Sequence, residues 1–217
     1  MATVCPCSMS VETYAAAGRR IALPAAACPS CGGHLAAWSG YWRFVRDRGE
    51  CVRIFVRRGR CRSCGITQAL LPAFLARNRL DTTEAIGATI EAVVHGRGMR
   101  PVAEALGAPH TTVRGWIRRF ATSARRLATG FSALAVELGG AALLPPASTG
   151  DWALLAIRAA WRQASALPGW LAVGCWRFVS CVCGGSLLAA NTNSPWFFVG
   201  RRRFMPPAPR AGGRGGG

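Results

Sequence analysis

From Glu50 to Arg60 the chain reads ECVRIFVRRGR, in which Val52, Ile54 and Val56 alternate with Arg53, Phe55 and Arg57. A period of two marks a strand with one face buried and one face wet. The stretch before it, from His34 to Arg46, is also strand-like, and DRGE at 47–50 is a turn, so the two halves predict a hairpin. After Thr82 the period changes. Ile86, Ile90, Val93 and Val94 recur at helical spacing, Thr82 or Thr83 can cap the helix, and HGRG at 95–98 ends it. PVAEAL predicts a short second helix with Pro101 in its first turn, where the missing N–H costs little, and Gly107 breaks it. In a third helix Val113, Trp116, Ile117 and Phe120 fall at i, i+3, i+4 and i+7, one inward stripe. The opposite face carries Thr111, Thr112, Arg114, Gly115, Arg118 and Arg119.

Beyond the third helix the pattern weakens. GGAALLPPASTG at 139–150 is a break rich in Gly and Pro. In the apolar, Trp-rich segment that follows, Trp152, Leu155, Ala156 and Ala159 share one helical face, with Leu154, Ile157 and Trp161 off it and only Arg158 and Arg162 marking a polar side, so the helix is amphipathic only loosely. The predicted organisation is a lead-in at 1–24, a ribbon at 25–76, a helical domain at 80–128, a linker at 129–150, the apolar segment at 151–200 and a disordered basic tail at 201–217. The expected fold class is α+β: a small β zinc ribbon, an all-α helix-turn-helix domain, and a mainly helical or irregular C-terminal segment. That last segment can be packing or a contact surface for another protein, and both readings stay open.

Charge then limits the partners. The chain has 217 residues and a formal net charge of +18, from 27 basic against 9 acidic residues. Every basic residue is arginine, a bias that GC-rich codons explain, but codon bias does not explain the shortage of acids. Such an excess points to a polyanionic partner held through phosphate contacts and counterion release. The opening MATVCPCSMS lacks the basic-then-apolar order of a signal peptide, and no apolar run reaches the ~18–20 residues of a membrane span. The expectation is a cytoplasmic, nucleoid-associated protein without a membrane partner.

In a reducing compartment paired cysteines are more often metal ligands than disulfides. Cys28 and Cys31 in CPSCGG form one C-x-x-C pair, and Cys61 and Cys64 in CRSCG form a second. Each pair is followed by glycine, which lets the backbone bend back at positive φ while both sulfurs converge. Two such turns supply the four thiolates of a structural Zn²⁺ site. The 29-residue spacer from Cys31 to Cys61 is longer than the common ~15–20 but holds the predicted hairpin, too small to stand without a metal at its base. His34 and Cys51 read as bystanders. Cys5, Cys7, Cys175, Cys181 and Cys183 read as ordinary thiols, C-x-C being poor geometry for one zinc. Four thiolates around Zn²⁺ carry a net −2 charge, which neighbouring arginines partly neutralise. The excess on the hairpin (Arg43, Arg46, Arg53, Arg57, Arg58, Arg60, Arg62) can face phosphates.

Two helices broken at Gly107, with Ala103 small at their crossing, suit a helix-turn-helix. The third helix would then enter the major groove of double-stranded DNA, its first turns meeting base edges while its arginines hold phosphates, with His110, Thr111, Thr112, Arg114, Arg118 and Arg119 as the candidate contacts. The alternative is an ordinary helical hairpin with a solvated basic face. The order of CPSCGG, basic hairpin, CRSCG, ITQALLPAFLARNRLDTTEAI and TVRGWIRRF resembles a family of uncharacterised bacterial proteins, common in high-GC actinobacterial genomes, that look like the amino-terminal DNA-binding part of transposases. The resemblance covers about residues 25–120, and SLLAANTNSPWFFVGRRRFMPP is similar to the family's tail. It implies Cys28, Cys31, Cys61 and Cys64 as ligands and residues 110–119 as the reader helix.

Transposase catalysis needs about three carboxylates on two Mg²⁺ ions. Asp47, Asp81 and Asp151 are the only aspartates, and after Glu137 only Asp151 is acidic. The chain is therefore expected to be non-catalytic: a zinc-dependent DNA-binding regulator or accessory factor of a mobile element, with self-association or a transposase as further partners. A degenerate or split transposase fragment, and a ribbon that holds RNA or protein, are the alternatives.

Overall fold

A computed structural model describes residues 2–47, 49–142 and 148–188. The tail at 201–217, most of the family-like stretch from Ser186 onward, and residues 143–147 of the expected linker lie outside the described residues. The fold is α+β, a four-stranded sheet with six α-helices among the described residues. The hairpin forms as β2 (Leu35–Asp47) and β3 (Glu50–Cys61), which pair antiparallel from Leu35↔Cys61 to Asp47↔Glu50, with an irregularity between Ala37 and Ser39. Ile54 and Val56 point to one face and are fully buried with Val45, as the alternation requires. Gly49 takes φ +85° at the tip, a conformation that glycine adopts without a Cβ clash.

Two neighbours extend this hairpin. β4 (Thr67–Pro72) pairs antiparallel with β3, and β1 (Ala2–Cys5) pairs parallel with β4, so the strand order is β1-β4-β3-β2. The stretch expected as a mere lead-in is thus an edge strand followed by α1 (Val11–Ala17), which packs against β3. Ser10 caps α1 by accepting from Thr13 N, and Tyr14 meets Phe74 edge-on at 5.2 Å.

α2 (Thr83–Val94) starts at Thr82, whose hydroxyl accepts from Ala85 N. α3 (Met99–Leu106) ends in a left-handed Gly107: Ala108 N donates to Ala103 O and Gly107 N to Glu104 O, a Schellman turn. α4 begins at His110 as expected but runs to Glu137, nine residues past the expected end at 128. Its stripe simply continues through Thr129 and Gly130, with Ala124, Leu127, Phe131, Leu134 and Ala135 all buried.

α5 (Thr149–Ser165) packs along that extension. Burial follows the Trp152, Leu155, Ala156, Ala159 face only in part. Leu155 is 48 % exposed, whereas Leu154 and Ile157 are buried with Ala153, Ala156, Ala160 and Ala164. Small side chains let α5 approach α4 closely, so alanines rather than Trp152 and Leu155 define the contact. α6 (Cys175–Val182) then returns to the sheet. Arg177 donates to Cys7 O, Met9 O and the Glu84 carboxylate, Ser180 Oγ donates to Leu75 O, and Arg77 N donates to Gly185 O. One core therefore runs from Val4 through the sheet and helices to Leu188. No described helix is long and apolar enough to cross a membrane.

Candidate metal centre and basic surface

The four paired cysteines meet at the base of the hairpin. Cys28 Sγ and Cys64 Sγ are 3.6 Å apart, Cys31 Sγ and Cys61 Sγ 3.5 Å, and all four sulfurs lie within 4.8 Å of one another. A tetrahedral site with Zn–S of ~2.3 Å has S···S edges of about 3.8 Å, so this set could hold a metal ion. Two equivalent turns build it. Gly32 N donates to Cys28 O and Gly65 N to Cys61 O, while Cys28 N donates to Gly33 O and Cys61 N to Ile66 O. Gly32 and Gly65 stand at φ +74° and +73°, so each knuckle reverses where a side chain would be strained.

Gly33 closes the cradle. A Cβ there would lie 2.7 Å from Ser63 Oγ and 3.3 Å from both Cys31 Sγ and Cys61 Sγ. The backbone N–H groups of Cys64 and Ser63 stabilise the Cys61 thiolate and hold its pKa down to about 6, whereas at Cys31 the lowering by the Gly33 N–H is outweighed by hydrogen bonds with the Cys61, Cys64 and Cys28 sulfurs, which push it up to about 12. Cys28 and Cys61 are buried in a small satellite core with Cys5, Leu35 and Leu70. Cys5, on β1, thus supports the site from beneath, a role that two isolated cysteines near the start of the chain do not announce.

His34 and Cys51 stay out of the group. Cys51 pairs with Arg46 near the hairpin tip, whereas the cysteine cluster lies at the Leu35↔Cys61 end. Among the described residues, Cys28, Cys31, Cys61 and Cys64 are the only group of three or more His, Cys, Asp or Glu within reach of one ion. The remaining thiols are governed by burial, which pushes Cys5 and Cys175 up to about 12 and raises Cys7, Cys181 and Cys183.

The arginines divide by use. Arg57 donates to Ile21 O and Arg19 O, Arg43 to Arg79 O, and Arg46 pairs with Asp81, so these three tie the hairpin to its surroundings rather than standing free for phosphates. Arg58 is half-buried and donates to Thr67 Oγ1. Arg53, Arg60 and Arg62 are exposed.

On α4, Val113, Trp116 and Phe120 are buried and Ile117 partly so, while Thr111, Arg114 and Arg118 are exposed. His110, Thr112 and Arg119 are half-buried. Arg119 lies near Arg79, whose pKa is lowered by burial and then by the Arg119 charge. His110 lines an open cleft at the α3–α4 elbow with Arg100, Ala103, Glu104, Gly107, Ala108 and Pro109. Pro109 gives α4 no side-chain cap, and its carbonyl accepts from Thr112 N and Val113 N. The hairpin tip reaches the same elbow, since a Cβ on Gly107 would lie 3.9 Å from Gly49 Cα.

Residues 28–116 match the profile of a domain of unknown function (DUF6431). The matched stretch begins at the first ligand-type cysteine and ends inside α4, so it takes in the whole cluster, the hairpin and the α3–α4 elbow. Neither the curated proteins nor the solved structures contain a match to the chain.

Proposed function

We propose that the chain is a non-catalytic, zinc-dependent DNA-binding protein, a transposase-like regulator or accessory factor in which a four-cysteine ribbon braces a helix-turn-helix. The observation that carries this reading is the α3–Gly107–α4 elbow. A tight left-handed turn joins a short helix to one whose first three turns expose Thr111, Arg114 and Arg118 over a buried stripe. In this reading α4 enters the major groove by its N-terminal half, with base edges met by His110, Thr111, Thr112 and Arg114. Arg118 and Arg119 hold phosphates, and the uncapped N–H groups at the start of α4 take another.

Zn²⁺ on Cys28, Cys31, Cys61 and Cys64 supplies folding free energy rather than chemistry, because four thiolates leave no open position for substrate. Its effect on DNA binding is indirect. The metal fixes the base of β2–β3, and the tip of the same hairpin abuts the elbow. The net charge of +18 provides the sequence-independent part of affinity.

The test is selection of bound sequences from random duplex DNA with zinc-loaded protein, followed by binding measured across salt. Enrichment of a consensus, lost on chelation, is expected. Equal duplex affinity in a folded, metal-free preparation would overturn the reading.

A further inference from the structure

We propose that the outer face of the β2–β3 hairpin is a stacking surface for unpaired bases, and that its occupant is single-stranded DNA. This rests on the DNA-binding reading above and adds to it a second site.

The register puts Phe44 opposite Arg53 and Trp42 opposite Phe55, all on the face turned away from Val45, Ile54 and Val56. Part of this face is already covered. Phe55 is buried beneath Arg19 and Arg57, whose guanidinium carbons stand 5.7 and 5.6 Å from its ring, and it meets Trp42 edge-on at 5.2 Å. Toward the tip the cover ends. Phe44 is 56 % exposed, and the exposed Arg53 sits 5.0 Å over the Trp42 ring. A bare aromatic beside an arginine is what unstacked bases use: the ring takes the base face and the guanidinium takes the phosphate. Phe44 and Trp42, two residues apart on one strand, have their Cα atoms roughly 6.8 Å apart along it, about twice the spacing of stacked bases.

Charge identifies the occupant. Within β2 and β3 the only acids are Asp47 and Glu50 at the tip, so a polyanion meets no repulsion along the strip. An apolar protein partner would leave Arg53 and its neighbours without counter-charge. Duplex DNA hides its base faces, whereas a single strand offers both faces and phosphates. Continuity favours DNA over RNA: the hairpin tip lies against the elbow of the proposed reader helix, so one DNA molecule with a locally opened strand can reach both.

The test uses the full zinc-loaded chain and fluorescence anisotropy with a labelled oligothymidylate, an abasic strand of equal length, an oligouridylate and a duplex. Wild-type protein should bind oligothymidylate at least about tenfold more tightly than the abasic strand, since stacking is worth roughly 1–3 kcal/mol per base. Phe44→Ala should remove about tenfold or more of that affinity and leave duplex binding unchanged. Phe44→Trp should retain it and Phe44→Leu should not, which separates stacking from greasiness and from misfolding. Equal binding of the abasic and thymidylate strands, or a Phe44→Ala protein that binds oligothymidylate like wild type, would overturn the proposal. Tighter binding of oligouridylate would overturn the choice of DNA. If Arg114→Ala leaves duplex affinity intact while Phe44→Ala still weakens oligothymidylate, the reader-helix assignment fails and the stacking surface stands.

Discussion

Asp81 accepts a hydrogen bond from Arg46 Nε at 2.7 Å, and this pair fastens the sheet to the helical array. The Asp81 side chain is only 5 % exposed. Around it Arg46 N donates to Leu80 O, Thr82 N donates to Arg46 O, and the Thr82 hydroxyl donates to Asp47 Oδ1. The hairpin is therefore held to the start of α2 by backbone and side chain together, near the elbow that the proposed function needs.

Removing one member of a buried pair leaves the other charge without a partner, which typically costs about 3–5 kcal/mol. Asp81→Ala should lose about 3 kcal/mol in urea denaturation of the zinc-loaded protein, because Arg46 keeps some access to water. The double variant Arg46→Met with Asp81→Leu should recover more than half. A loss below about 1 kcal/mol for the single variant, the level of an exposed pair, would show that the backbone bonds alone hold the hairpin.

Gly87 seats the Trp176 indole, and a Cβ at that position would overlap the ring. Alanine is the better helix former by about 1 kcal/mol, so propensity alone predicts that Gly87→Ala stabilises α2. Overpacking opposes it at about 1–3 kcal/mol, and with the fused ring of Trp176 as the neighbour overpacking should win. A lowered melting temperature is expected, partly restored by adding Trp176→Leu. A raised one would mean that α6 shifts freely away from α2.

Legibility followed sequence separation. The cysteine turns, the Val52–Ile54–Val56 alternation, the Thr82 cap and the Val113–Trp116–Phe120 stripe are local signals, and each has its counterpart in the structure. β1 was illegible because four residues of ATVC carry no period, and their partner β4 lies more than sixty residues away. The end of α4 was misplaced because Thr129 and Gly130 resemble a break, although Leu127, Phe131 and Leu134 carry the stripe through them. The packed face of α5 is not legible in the sequence because the helix is only loosely amphipathic, and its buried side is made largely of alanines with Leu154 and Ile157. Gly33 as a cradle for two sulfurs could have been suspected from the doubled glycine in CPSCGG, but its reason, the approach of Ser63, is a long-range fact.

Thiol reactivity tests the metal centre without DNA. In the zinc-loaded protein at pH 8, Cys51 is exposed and should react fast with a disulfide reagent. Raised pKa values slow the buried thiols: at about 12, Cys5 and Cys175 have only about one thiolate in ten thousand at pH 8. Chelation should add Cys61, whose pKa is held down to about 6, to the fast class, and native mass spectrometry should find one zinc that Cys61→Ser with Cys64→Ser abolishes. Fast reaction of all ten cysteines before chelation would count against a closed site.

The division among the arginines predicts opposite outcomes for residues that look alike in the sequence. Arg114 and Arg118 are exposed on α4, and in the proposed reading each meets DNA, Arg118 through phosphate. Each phosphate contact contributes about −0.9 to the slope of log affinity against log salt, so Arg118→Ala should flatten that slope by about 1 without altering the melting temperature. Arg57→Ala should do the reverse. Its guanidinium is occupied by Ile21 O and Arg19 O, so its loss uncovers two carbonyls and Phe55, lowers stability, and leaves the salt slope unchanged. Arg114→Ala separates base from phosphate contact: loss of sequence preference at one position with little change in slope marks a base reader. If the Arg57 variant flattens the slope and the Arg118 variant does not, DNA lies along the middle of the hairpin, and the assignment of α4 as the reader is wrong.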